Sequence, residues 1–157
     1  MNLTASNTEN GNGDAQATVD QLAQTHRIAL VLDPSLDRGA VGNRCAVLST
    51  GLASRHPEII GEDLITADHL SLPGFTKVPM AVLMTKEQSL REIANRARER
   101  NCTTLVFLAR AQGMRSYEAY RSSVAQTATV DLDIDAVAIF GPKKAVNSVI
   151  GALPCLR

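Results

Sequence analysis

Four short apolar runs, separated by stretches of helical periodicity, constrain this chain more than any other feature. Residues 27–32 (RIALVL), 78–84, 103–108 (TTLVFL) and 136–140 are nearly continuous in apolar side chains and bounded by turn or polar residues. Runs of that length read as strands buried on both faces. Pro79 puts the second at a sheet edge or a strand start. Helical patterns fill the intervals. Val41, Cys45, Leu48 and Leu52 make one stripe of a helix over 40–54. Thr85-Lys86-Glu87-Gln88 reads as a capping box, opening a helix that turns Leu90, Ile93, Ala94 and Ala97 inward. Ser116 caps a helix over 117–126, with Tyr117, Tyr120 and Val124 on one face. Residues 56–75 are mixed in pattern, and Ile59-Ile60 and Leu64-Ile65 fit a short helix or an edge strand. Strands alternating with helices predict an α/β fold, a three-layer α/β/α domain with a mixed, roughly four-stranded sheet. Its strand order is not readable.

Residues 1–25 are rich in Asn, Thr, Gly, Ala and Gln and hold few large apolar residues. They are expected to form a disordered tail, with a short helix near 19–24, leaving 26–157 as a single domain.

The C-terminal segment reads as strand, turn, helix and stop. Gly141 supplies a backbone freedom suited to the turn, and Pro142 suits the first helical position. Val146, Val149 and Ile150 form the apolar stripe, Gly151 fits just past the helix end, and Pro154 prevents continuation. Lys143 and Lys144 fall in the first turn, where the helix dipole disfavours cations. Two ammonium groups beside free backbone N–H groups would hold a phosphate or carboxylate.

Composition narrows the function. Sixteen basic and 16 acidic residues cancel, which argues against binding nucleic acid by bulk charge. Aromatics are only 3%, too few for base-stacking platforms. The arginines of 91–100 alternate with glutamates, as on a solvated helix face, with Glu87–Arg91 and Glu92–Arg96 as i,i+4 pairs. No apolar run approaches the ~20 residues of a membrane span, and no secretory signal is visible, so a cytoplasmic protein is expected. Cys45, Cys102 and Cys155 lack metal spacing and read as buried free thiols. His26, His56 and His69 are scattered, with no nucleophile at recognisable spacing; no metal, cofactor or catalytic residue is assigned. The Gly39–Asn43 stretch follows a strand and opens a helix, but it is neither a P-loop nor GxGxxG. Asp33, Arg38 and Asn43 would line a site at that strand's carboxyl end, where open α/β sheets bind ligands.

Gly141-Pro142, Val146-Asn147, Val149, Gly151 and Leu153 resemble the C-terminus of type II peptidyl-tRNA hydrolases. The pattern is closer still to an uncharacterised bacterial group, the domain of unknown function numbered two-thousand. The residues carrying that likeness are Leu36, Gly39, Asn43 and Ala46, the pair Tyr117 and Tyr120, and the run from Gly141 to Arg157. The resemblance implies a mixed four-stranded sheet between helices, similar to the type II hydrolases, and often a homodimer. Where those hydrolases carry a lysine, an acid and a threonine, this chain has Asn43, Ala111 and Ile150. The expected function is therefore binding of a small anionic molecule. Its groove would run from the first helix (Asp33, Arg38, Gly39, Asn43) to Tyr117, Tyr120, Gly141, Lys143 and Lys144. The alternative is a hydrolase acting on peptidyl-tRNA or another ester, with Asp33 or Asn43 replacing the lost groups; tRNA is the weaker partner.

Overall fold

All four apolar runs become strands of one sheet. The structure is a computed structural model that describes residues 21–86 and 88–156. Strand β1 (His26–Leu32) is followed by helix α1 (Arg38–Arg55), a 3-10 turn (Pro57–Ile59) and a hairpin of β2 (Leu64–Ile65) and β3 (Ser71–Leu72). Then come β4 (Met80–Met84), α2 (Leu90–Glu99), β5 (Thr103–Leu108), α3 (Tyr117–Ala125), β6 (Ile134–Pro142) and α4 (Lys143–Ile150). The sheet order is β4-β1-β6-β5. β4 runs parallel to β1, while β1 and β5 both run antiparallel to β6. The sheet is therefore mixed. The expected short helix at 19–24 is seen in part, since 21–25 are helical and the rest of the tail lies outside the described residues.

Two cores sandwich the sheet. Ala29, Val31, Val137 and Ile139 pack with Ile93, Ala97 and Val146, so α2 and α4 cover one face. Ile28, Leu30, Leu32, Ala136 and Ala138 pack with Leu48 and Leu52, so α1 covers the other. Alternation of side chains along each strand produces this split directly.

Helix ends differ in detail from the expectation. α2 starts at Leu90, not within 85–88: Ser89 caps Glu92 N–H while the Glu92 carboxylate accepts from Ser89 N–H. Thr85 instead continues β4, its N–H donating to Leu32 O. Because Glu92 is engaged in the box, it does not pair with Arg96, which donates to Gln88 and the Ser148 carbonyl; the Glu87–Arg91 pair lies outside the described residues. α2 closes on Asn101 at φ 56°, with Asn101 N–H bonded to Arg98 O and Cys102 N–H to Ala97 O. This left-handed stop turns the chain straight into β5.

Gly141 is not a turn residue. It is a strand residue of β6 opposite Arg27, and no described glycine has a positive φ. Glycine is required there by crowding, since a Cβ would lie 3.0 Å from the Cys102 Sγ. Pro142 precedes α4 as its N-cap rather than sitting inside it. Of the three thiols only Cys102 is buried; Cys45 is half-buried, and Cys155 is exposed on the segment that bridges to Leu83.

One charged pair crosses the α1-side core. Phe107 pairs with Ala136 but Leu108 pairs with Ile134, so Asp135 is an extra, bulged residue. The bulge turns the Asp135 side chain toward the α1 face, shared with Ala136, instead of toward the opposite core. There Arg44 meets it, Nη2 to Oδ2 at 2.7 Å and Nε to Oδ2 at 3.2 Å. Arg44 is 2% exposed and Asp135 8%. The guanidinium also lies 4.4 Å from the Phe107 ring centroid.

Two outcomes follow for equilibrium urea unfolding. Asp135→Ala leaves a buried, uncompensated guanidinium and should cost about 3–5 kcal/mol, whereas Arg44→Met with Asp135→Leu should recover most of that loss. Gly141→Ala should cost about 1–3 kcal/mol by overpacking, and less in a Cys102→Ala background that removes the opposing sulfur.

Candidate functional site

α1 and β5 run antiparallel along the α1 side of the sheet, and they approach closely at Gly51. A Cβ on Gly51 would lie 2.6 Å from Leu105 Cδ2, so glycine permits that approach. Around this contact lies a groove of about 1110 Å³, bounded by α1, β5, the 3-10 segment Ala109–Gly113 and the start of α3. Its volume slightly exceeds the usual small-molecule range of about 300–1,000 Å³. β5 is the edge strand on this side.

At one end, Gly39, Ala40, Asn43, Gln112, Tyr117 and Tyr120 line the groove. Asn43 is oriented from beneath: Arg44 Nη1 lies 3.5 Å from Asn43 Oδ1, a weak donation. With that oxygen facing the guanidinium, the amide N–H₂ is left for the groove. Tyr117 is 80% exposed, and its ring centroid lies 6.1 Å from that of Tyr120. Burial, then the neighbouring Tyr117 and Asp133, raise the Tyr120 phenol above its ordinary value, so it stays a neutral donor.

The wall between β5 and α3 is pinned by Arg110. Its Nε donates to Asp133 Oδ1 at 2.6 Å, its Nη1 to Thr127 and its Nη2 to the Asp131 carbonyl. Burial pushes the Asp133 carboxyl upward, but hydrogen bonds from Arg110 and from the backbone outweigh it and hold the carboxyl below the usual range.

At the other end, Arg55 and Thr103 line the groove. Arg55 is the one charged residue among the lining, is exposed, and forms no ion pair among the described residues. His56 caps α1, donating its N–H to the Leu52 carbonyl, and Pro57 prevents the helix from continuing. The imidazole Nε2 lies 2.8 Å from Thr103 Oγ1, and Nδ1 lies 2.9 Å from Glu58 Oε1.

The expected site residues therefore divide. Gly39, Asn43, Tyr117 and Tyr120 come together in this groove. Asp33 does not join them: its carboxylate accepts from Ser35 N–H and Oγ in a local turn. Arg38 is exposed at the start of α1, outside the lining. Gly141, Lys143 and Lys144 lie at the far end of the sheet. His26 pairs with Pro142 and Leu32 with Ala136, so the two ends are separated by the length of β1, about 20 Å at ~3.3 Å per residue. Lys143 and Lys144 open α4, which covers the face opposite α1, and they do not line this groove. The lysines border only a shallow depression with Gln24, Thr25 and Asn147. Of the three residues that the resemblance set against the hydrolases, Asn43 and Ala111 line the groove and Ile150 is buried in the core of the opposite face.

Residues that sequence reasoning missed are Arg44, Arg55, Thr103, Phe107 and Asp135. Arg44 had a visible signal, because it lies between Val41 and Leu48 on the buried stripe of α1. No group of three or more His, Cys, Asp or Glu side chains that could hold a metal is present among the described residues, and no described helix is long and apolar enough to cross a membrane.

The fold has a solved counterpart. A protein of unknown function from Agrobacterium tumefaciens strain C58 superposes with a TM-score of 0.76 at 22% identity, over 85% of this chain and 98% of that one. No curated protein matches the chain. Residues 26–157 match one protein family along their whole length. The chain belongs to that family, described as protein of unknown function (DUF2000).

Proposed function

We propose that this chain binds a small organic acid in the groove between α1, β5 and α3. The observation that carries this reading is the placement of Arg55. It is the sole charge in an otherwise uncharged lining, and it has no carboxylate partner among the described residues. Val47, Leu105, Phe107 and Met114 offer apolar surface to the body of such a ligand. Tyr117, Tyr120 and the Asn43 amide offer stacking and hydrogen bonding at the end away from Arg55. The ligand is thus an elongated molecule with an anionic head, an apolar middle and a polar or aromatic tail. The anion is assigned to Arg55 rather than to Lys143 and Lys144, because the open depression at the lysines, about 530 Å³, has only Pro142 as apolar side chain for the body of a ligand.

The fluorescent sulfonate 1-anilinonaphthalene-8-sulfonate is a suitable probe, being an aromatic anion of this shape. It should bind the full chain at one saturable site. Arg55→Ala should weaken binding about tenfold, equivalent to ~1.4 kcal/mol, and Tyr120→Ala should weaken it comparably. Replacing Lys143 and Lys144 together with alanine should leave it unchanged. Weakening by the lysine pair with none by Arg55→Ala would move the anion site to the β6–α4 turn.

A further inference from the structure

At the Arg55 end of the groove three side chains stand in a fixed order. Thr103 Oγ1 is 2.8 Å from His56 Nε2, and His56 Nδ1 is 2.9 Å from Glu58 Oε1. Glu58 is held below the usual carboxyl range by its backbone hydrogen bond and then by the His56 ring. It is therefore ionised and can only accept. Nδ1 therefore donates to Glu58, and in the tautomer with a single ring proton Nε2 is left as the acceptor for the Thr103 hydroxyl.

Each group is held by a different element. Pro57 ends α1 at His56 and opens the 3-10 turn that carries Glu58, and Ile59 anchors that turn at 2% exposure. The left-handed stop at Asn101 delivers Thr103 as the first residue of β5. Phe140 packs against the imidazole, centroid to centroid at 4.6 Å and 58°. The ring is thus gripped on two edges and one face before any ligand arrives. Among the three, Thr103 is the one that lines the groove.

We propose that Thr103, His56 and Glu58 form a nucleophile–base–orienter relay that hydrolyses carboxylic esters seated in this groove. The proposal rests on the groove being a ligand site. In the first step Thr103 Oγ1 bonds to the ester carbonyl carbon while His56 Nε2 takes the hydroxyl proton. The tetrahedral intermediate collapses by breaking the bond to the alcohol oxygen, and the imidazolium returns the proton to that leaving alkoxide. Water then attacks the acyl–threonine ester, giving its proton to Nε2. The carbon–Oγ1 bond breaks and Oγ1 regains the proton. The sum is ester plus water to carboxylic acid plus alcohol. Glu58 is a positioning residue: it fixes the tautomer and stabilises the imidazolium. Arg55, lining the same end, is the cation available to the carboxylate product.

The test uses the full chain and p-nitrophenyl butyrate, followed by p-nitrophenolate absorbance and by peptide mass spectrometry of Thr103. The native chain should turn over and carry a butyryl group on Thr103 under rapid quench. Thr103→Val keeps the side-chain shape without the hydroxyl and should lower kcat about 100-fold or more, as should His56→Gln. Glu58→Gln should lower kcat about tenfold with KM unchanged, which a merely structural role would not produce. Thr103→Ser should keep turnover, which guards against misfolding of the valine variant. Hydrolysis by Thr103→Val at the native rate, or no hydrolysis by the native chain above buffer, overturns the relay. Binding of the fluorescent sulfonate separates the two readings: binding without hydrolysis overturns the relay alone, and absence of binding overturns the groove itself.

Discussion

The ion pair between Arg44 and Asp135 determines how α1 lies on the sheet, and the groove depends on that placement. A carboxylate in β6 would ordinarily face either core as an unpaired charge. The bulge at Asp135 redirects it toward α1, and α1 supplies its guanidinium from the middle of an apolar stripe. The pair is costly to desolvate, and Asp135 Oδ1 has no protein partner. What it supplies is position. Arg44 is tied to β6 through Asp135, to β5 through Phe107 and to the groove through Asn43. One side chain thereby links the helix, two strands of the sheet and the groove.

The two sheet edges are treated differently, and this places the groove. Beyond β4 the chain's own C-terminal segment bridges the edge: Met84 N–H donates to Pro154 O, and Leu156 N–H donates to Val82 O. A covered edge offers no template for further pairing. β5 has no strand beyond it among the described residues, and α1 comes close to it at Gly51. The space left between helix and edge strand is the groove. Pro154 thus matters less as a helix stop than as part of the strip that closes the opposite edge.

Much of the fold was legible because strands and helices announce themselves locally. The runs at 27–32, 103–108 and 136–140, and the stripe Val146, Val149 and Ile150, each needed only their own period. Gly39, Asn43, Tyr117 and Tyr120 all line the groove; the first two stand out in the sequence by a strand-to-helix turn and the tyrosines by the family resemblance. Lys143 and Lys144 do not line the groove with them. Which face α4 covers depends on how the strands are ordered in the sheet, which no single segment encodes. Asp135 was hidden for a related reason, since a bulge is a disagreement in register between two strands. Gly141 misled in another way: its missing Cβ answers to Cys102 across a strand pair, not to its own backbone angle.

Thr103 and His56 show the same limit at the scale of chemistry. They are 47 residues apart, and neither sits in a motif. Yet both positions follow from chain stops that are individually ordinary: a proline after His56 and an asparagine before Cys102. Each stop ends a helix at the same end of the sheet, because α1 leaves β1 and α2 returns to β5 from opposite faces. Two helix ends converging on one strand start is a consequence of the mixed topology. The hydroxyl–imidazole–carboxylate line at the mouth of the groove is therefore built by the fold's connections rather than by local sequence. A variant that lengthens either stop, such as an insertion between His56 and Glu58, would separate the three groups while leaving the Arg44 end of the groove intact.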